Sequence, residues 1–236
     1  MRVMFGSINE DTIRVLSDNG CEVMVPQSQG CCGALHAHNG YIDAAKEYAK
    51  RLIDSFGQSD GLDAIVINSA GCGSMAKELG HLLKDDPLYA ESSVRFSDKV
   101  RDVSEWLDAI GLTAPLKQIS PLNTTIAYHD ACHLRHGQGI FDAPRHLLSQ
   151  IPGITLVDLH ESDICCGSAG IYNFTEPDMA VRLQKRKLNN IEKTGATIVA
   201  TGNPGCLSWI KSGFVDRGNH SLEVLHPVTL LARALA

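Results

Sequence analysis

The stretch Ile164-Cys165-Cys166-Gly167-Ser168 has an earlier counterpart, Gly30-Cys31-Cys32-Gly33-Ala34. Two vicinal cysteines followed by glycine, occurring twice, are improbable by chance among 236 residues that hold 8 cysteines. Each pair has a lone cysteine at the same distance downstream: Cys32 to Cys72 and Cys166 to Cys206 both span 40 positions. Each lone cysteine follows a glycine, Gly71 and Gly205. The chain therefore reads as two copies of one cysteine frame, offset by 134 residues.

Working outward, every cysteine loop is preceded by a short apolar run of strand character. These are residues 22–26 and 62–68 in the first copy, and 124–128, 154–159 and 197–201 in the second. Amphipathic runs between them predict helices. Ser7-Ile8-Asn9-Glu10 has the form of a capping box opening a helix that buries Ile13, Val15 and Leu16 and stops near Asn19-Gly20. Residues 42–56 place Ala45, Tyr48, Ala49, Leu52, Ile53 and Phe56 on one face. A helix is expected at 73–83, another at 143–150, and a long one opening at Thr175-Glu176-Pro177-Asp178 with a capping hydroxyl and a first-turn proline. A short helix after Cys206, a run at 222–225 and a helix at 227–235 close the chain. Residues 84–120 read as a helical connector, clearest at 100–110, with Pro115 and Pro121 marking the break. The expected fold is α/β: two tandem pseudo-repeats, 1–118 and 119–236, with mostly parallel sheets and cysteine loops at the carboxyl strand ends. That is where open α/β sheets place their ligands.

The second copy has a cysteine that the first lacks. Cys132 precedes Cys165 by 33 positions, and the same step back from Cys31 falls just upstream of Met1. The first copy is therefore expected to be truncated at its amino end, as a fragment or an alternative start; the alternative is a natural loss of its site.

Composition bounds the chemistry. With 44% hydrophobic and 20% charged residues the chain has the make-up of a globular protein, and a net charge of −6 gives no reason to expect nucleic acid as a partner. No apolar run approaches the roughly 18 residues of a membrane span. The expected location is cytoplasmic, with peripheral contact to the inner membrane left open through partners. Clustered cysteines in a reducing compartment bind metal or do redox chemistry more often than they form structural disulfides. Cys132, Cys165, Cys166 and Cys206 match the four-thiolate ligand count of an iron–sulfur cube, in loops where Gly167, Gly170, Gly202 and Gly205 let backbone N–H groups approach sulfur. Zinc is less favoured, because its structural sites use short C-x-x-C knuckles absent here, and metal-free thiol chemistry remains a third reading. Cys21 has no counterpart and reads as a packing residue. His36, His38, His129, His133 and His136 lie near the loops, either as polar wall or as hydrogen-bond partners of a cluster. Lys77 and Lys211 occupy equivalent positions and could offset thiolate charge, a solvated helix face being the commoner role. Trp106 and Trp209 read as core or rim packing.

Residues 30–39 (GCCGALHAHN), 68–73 (NSAGCG), 132–137 (CHLRHG), 165–173 (CCGSAGIYN) and 83–89 (LKDDPLY) carry a family resemblance over the whole chain. The sequence resembles the cysteine-rich CCG family, which includes the disulfide-cleaving chain of heterodisulfide reductase, the lactate-utilisation iron–sulfur protein and the iron–sulfur subunit of glycolate oxidase. It looks most like the carboxy-terminal part of the last. The resemblance implies an iron–sulfur electron-transfer subunit of a flavin-dependent 2-hydroxy-acid oxidoreductase, passing electrons from flavin-containing partner subunits to a quinone or other acceptor. It implies a 4Fe-4S cluster held by Cys132, Cys165, Cys166 and Cys206, with Gly167 and Gly205 beside it and no catalytic residue in this chain. The metal set of the first copy would be Cys31, Cys32 and Cys72, an incomplete site. A lactate-utilisation role, or disulfide reduction as in heterodisulfide reductase, are the alternatives. Against the latter, Met75 and Trp209 stand where the C-x-x-C motifs of that enzyme have a second cysteine.

Overall fold

Short runs of apolar, largely β-branched residues, such as Ile65-Val66-Ile67 and Ile198-Val199-Ala200, form the strands on which the fold is built. The computed structural model describes residues 4–57, 61–120 and 123–236. The first copy runs α1 (Gly6–Asp18), α2 (Ala34–His38), α3 (Ile42–Phe56), β1 (Ile65–Ile67), α4 (Ala70–Lys77), α5 (Leu79–Leu82), α6 (Ala90–Lys99), β2 (Val100–Asp102) and α7 (Val103–Ile110). The second opens with β3 (Thr124–Tyr128) and a π-helical turn at His133–Gly137, followed by α8 (Asp142–Ser149), β4 (Ile154–Val157) and α9 (Tyr172–Thr175). It continues with α10 (Pro177–Thr194), β5 (Ile198–Ala200), α11 (Pro204–Asp216), β6 (Glu223–Leu225) and α12 (Pro227–Ala234).

The second copy carries a four-stranded sheet ordered β4-β3-β5-β6, with every neighbouring pair parallel. The first carries the two-stranded parallel pair β1-β2, which corresponds to β5-β6. The molecule is thus α/β with tandem repeats and mostly parallel sheets. Central strands β3 and β5 are buried, as parallel strands covered on both faces must be.

Several local expectations are corrected. Residues 100–110 are not one helix: Val100–Asp102 pairs with β1, and Asp102 then caps α7 in a capping box with Glu105. The helical periodicity ran through this cap unmarked, because Val100 and Val103 are both buried, one in the strand and one in the helix. The capping box expected at Ser7 does not form; Phe5 stands at the N-cap, Ile8 and Thr12 turn inward, and Ile13 is exposed. Thr175 likewise ends α9 rather than capping α10, although Pro177 does occupy the first turn. The helix expected at 73–83 begins earlier, at Ala70, and breaks at Glu78. The helix after Cys206 is longer than expected and contains that cysteine. Residues 22–26 form no strand. Their counterpart β4 pairs only with β3, and the described part of the first copy has no equivalent of β3 to pair with. Pro121 lies outside the described residues.

The two copies share a core. Helix α1 packs on α12, and α7 packs on α8, so each copy lends a helix to the other. Val15, Leu16 and Leu107 of the first copy meet Leu147, Leu148 and Leu231 of the second in one buried cluster. No helix among the described residues is long and apolar enough to cross a membrane.

Candidate metal centre

Both lone cysteines occupy the same structural position. Cys72 and Cys206 are each the third residue of a helix that starts just beyond a parallel strand, in α4 and α11. Free backbone N–H groups and the positive end of the helix dipole favour a thiolate there. The N-cap side chains add to this. Ser69 hydrogen-bonds Cys72, and Asn203 Nδ2 donates to Cys206 Sγ at 3.6 Å. Neither N-cap was singled out from the sequence. A polar residue three positions before each lone cysteine was the available signal.

The vicinal pairs are held by a repeated turn. Gly33 and Gly167 both have left-handed backbone, with φ of 78° and 100°. Their N–H groups donate to Cys31 Sγ at 3.4 Å and to Cys165 Sγ at 3.3 Å. A Cβ on Gly167 would stand 2.4 Å from the Ala180 carbonyl oxygen, and one on Gly33 would stand 2.9 Å from Tyr48 Cβ. Glycine is therefore required twice over, for the turn and for the close approach of the following helix. At Gly205, a Cβ would meet Ser168 Oγ at 2.9 Å, so this glycine lets the loop of Cys165 and Cys166 close over α11.

These loops bring the four cysteines of the second copy into one chain of contacts. Cys132 and Cys166 both hydrogen-bond Cys165, and Cys166 also hydrogen-bonds Cys206. The bonds sort the thiols by acidity. Cys165 is held down to about 2, chiefly by bonds from Cys132 and Cys166. Cys206 is held well below the usual thiol value by Cys166, with His129 and Asn203 assisting. Cys132 and Cys166, the donors, are pushed up. In the first copy Cys31, Cys32 and Cys72 form the same kind of chain. Cys31 is lowered to about 5 and Cys72 to about 7 by bonds from Cys32, which is itself pushed up.

The two sulfur groups lie close to the seam between the copies. Asn203 Oδ1 accepts from Gly71 N at 3.2 Å while its amide faces Cys206, and Ala70 N donates to Gly202 O at 3.0 Å. His38 stacks on His133 with ring centroids 5.1 Å apart, and His133 Nδ1 is 3.6 Å from Cys132 Sγ.

The histidines separate into distinct roles. His129 is buried inside the sulfur group, whereas His136 is exposed and reaches Asp163 O at 3.2 Å, and His36 packs against Tyr48. Cys21 packs against the shared core, apart from both groups. Of the two lysines weighed for charge compensation, Lys77 pairs with Glu105 at 2.7 Å and Lys211 is exposed on its helix. The cation near the sulfurs is Lys187 instead. It is buried, bonded to the carbonyls of Glu161 and Ser162, and electrostatically linked to Cys166 and Cys206. Burial lowers its affinity for a proton. Lys187 lies on α10, and the sequence offered no spacing that ties it to the cysteines. Beneath Cys132, Asp130 is gripped by Arg145 in two bonds of 2.6 and 2.7 Å, which fixes the loop that leaves β3. Trp209 is half-buried behind the Gly167 turn, in keeping with packing.

Comparison with known proteins agrees with this frame. The family model for the cysteine-rich domain, CCG, matches residues 1–77 and 126–211. The chain is 37% identical to a probable glycolate oxidase iron–sulfur subunit from Bacillus subtilis, over 99% of this chain and 52% of that protein. It is 30% identical to lactate utilization protein A from Oceanobacillus iheyensis, over 97% of this chain and 91% of that protein. A lactate utilization protein A from an Exiguobacterium species is also 30% identical, with the same coverage. The chain thus spans about half the length of the first of these relatives and nine-tenths of the other two. Both glycine-turned cysteine pairs and both lone cysteines on helix starts fall within the matched residues, and the chain belongs to the cysteine-rich CCG domain family.

Proposed function

We propose that this chain is an iron–sulfur electron-transfer unit of a 2-hydroxy-acid oxidoreductase of the glycolate or lactate type. The carrying observation is the unbroken line of thiol contacts from Cys132 through Cys165 and Cys166 to Cys206. Four thiols, two of them already acidic, are a donor set suited to a 4Fe-4S cluster. Such a cluster supplies a one-electron carrier. The residues around it do the rest: the Gly167 N–H and the Asn203 amide donate to sulfur, Lys187 offsets negative charge, and burial keeps water away. Binding would displace the protons of Cys132 and Cys166, so loading releases acid.

In this reading residues 1–118 and 119–236 are the two repeats, and the described three-cysteine group of the first binds a cluster poorly. Electrons would arrive from flavin-containing partner subunits, which perform the hydride chemistry on the hydroxy acid, and leave to a quinone or other acceptor. The names of the relatives support this assignment.

Anaerobic reconstitution with iron and sulfide, followed by quantitation and EPR, tests the reading. About four irons with equivalent sulfide per chain are expected, the number in one cube. Cys206→Ser should lose most of that iron, while Cys21→Ser should keep it. A chain that takes up no iron and sulfide, or in which Cys206→Ser loads as fully as the parent, rejects the assignment.

A further inference from the structure

The sulfur group contains a nitrogen that the four-thiolate reading leaves unused. His129 follows β3 and is only 1% exposed, and its backbone N–H bonds to Ala200 O at 2.9 Å. Its Nδ1 lies 3.0 Å from the Ser162 carbonyl oxygen. A carbonyl can only accept, so Nδ1 carries the proton. In the neutral ring Nε2 then presents its lone pair. That atom is buried and meets no partner at hydrogen-bond geometry, although the ring acts on the Cys206 thiol and helps to lower it. A ring nitrogen of His129 lies within 4.8 Å of the sulfurs of Cys166 and Cys206, which are themselves within that distance of each other.

A buried imidazole lone pair without a partner is costly. A ring whose far nitrogen is anchored to a backbone carbonyl is also the arrangement by which proteins aim histidine at metal. The anchor here is well held. The Ser162 carbonyl also accepts from Asp130 N at 3.1 Å and Lys187 Nζ at 3.3 Å, and Asp130 is clamped by Arg145. His133, which stands 3.6 Å from Cys132 Sγ, is not comparable: it is half-exposed and stacked on His38.

We propose that His129 Nε2 is itself a ligand of the metal centre, giving a mixed nitrogen–sulfur donor set with the thiolates of Cys166 and Cys206. The proposal rests on the reading of this site as an iron–sulfur centre and adds a ligand to it. An uncharged imidazole bound to iron leaves the centre less negative than an additional thiolate would, which raises its reduction potential. The alternative role, a hydrogen-bond donor to Cys206 sulfur, would require both ring nitrogens to be protonated and hence a buried imidazolium.

The test is pulsed EPR on the reduced, anaerobically reconstituted chain, prepared with natural-abundance and with nitrogen-15 histidine. Strong coupling to a directly bonded nitrogen is expected, changing isotope pattern with the label. It should vanish in His129→Ala and return when imidazole is added, and His129→Cys should shift the midpoint potential downward. If the His129 variants do not fold, the labelled parent chain still decides the matter. A loaded centre with only weak, remote nitrogen coupling overturns the ligand, as does strong coupling that survives in His129→Ala, and both leave the iron–sulfur reading standing. A chain that binds no iron or sulfide overturns both.

Discussion

Among single residues, the glycine of each cysteine pair carries the sharpest structural demand. Replacing Gly167 with alanine combines left-handed strain of about 1–2 kcal/mol with a backbone clash at Ala180, for a total of about 3 kcal/mol. Gly218 also has positive φ but no atom within 4 Å of a built Cβ, so Gly218→Ala should cost only about 1 kcal/mol. Urea unfolding of both variants measures the difference, and equal losses would show that the clash is relieved. Cys31 gives a second residue-scale prediction. It is exposed and its thiol is lowered to about 5, so at pH 7 it is a thiolate. In metal-free chain it should be the first cysteine alkylated by iodoacetamide, with a rate that falls as pH drops through about 5. Peptide mapping after brief labelling reads this directly. The cysteine frame and the need for glycine were legible in the sequence, because spacing and residue type carry them. The amide, hydroxyl and cation around the sulfurs were not: Asn203, Ser69 and Lys187 reach the site through helix starts and a long side chain, with no repeat of residue type to mark them.

At the scale of elements, the starts of α7 and α12 make an instructive pair. Both helices follow the edge strand of their sheet, and both are capped by a buried titratable residue, Asp102 and His226. Burial raises the Asp102 carboxyl to about 6 and lowers the His226 imidazole to about 4. The two act oppositely on stability. Between pH 6.5 and 4 the unfolded histidine binds a proton that the folded one refuses, which costs about 3 kcal/mol on acidification. Between pH 6 and 3.8 the folded aspartate binds a proton that the unfolded one lacks, which returns a similar amount. His226→Asn keeps an acceptor for the Val228 N–H but removes the first effect. Relative to the parent it should gain about 3 kcal/mol between pH 7 and 4 in urea unfolding; parallel pH profiles would contradict this. Strand β2, which leads into the Asp102 cap, was the element least legible beforehand. Three residues are too few to show a period of two, and the strand exists because β1 offers it a partner. The converse holds at residues 22–26, where strand-like residues find no ladder.

Over the whole molecule, the interlocked helices predict a single unfolding transition. Trp106 lies in the first copy and Trp209 in the second, so Trp106→Phe and Trp209→Phe each leave one reporter. Fluorescence midpoints in urea should coincide for the two, since α1 and α12 cannot separate without exposing Val15, Leu16 and Leu231 together. Well-separated midpoints would mean that the copies unfold independently. The repeat itself was readable from the cysteine offset, but the exchange of helices was not, because long-range packing leaves no local period in the chain.

That exchange constrains what a solitary copy could be. The face that α12 offers to α1 is the counterpart of the one that α7 offers to α8, so the two contacts are related by an approximate two-fold axis. A polypeptide carrying one copy alone would bare this surface to water, and the same geometry would let two such polypeptides cover each other. Gene fusion of a symmetric pair would then yield the present arrangement without inventing any new contact.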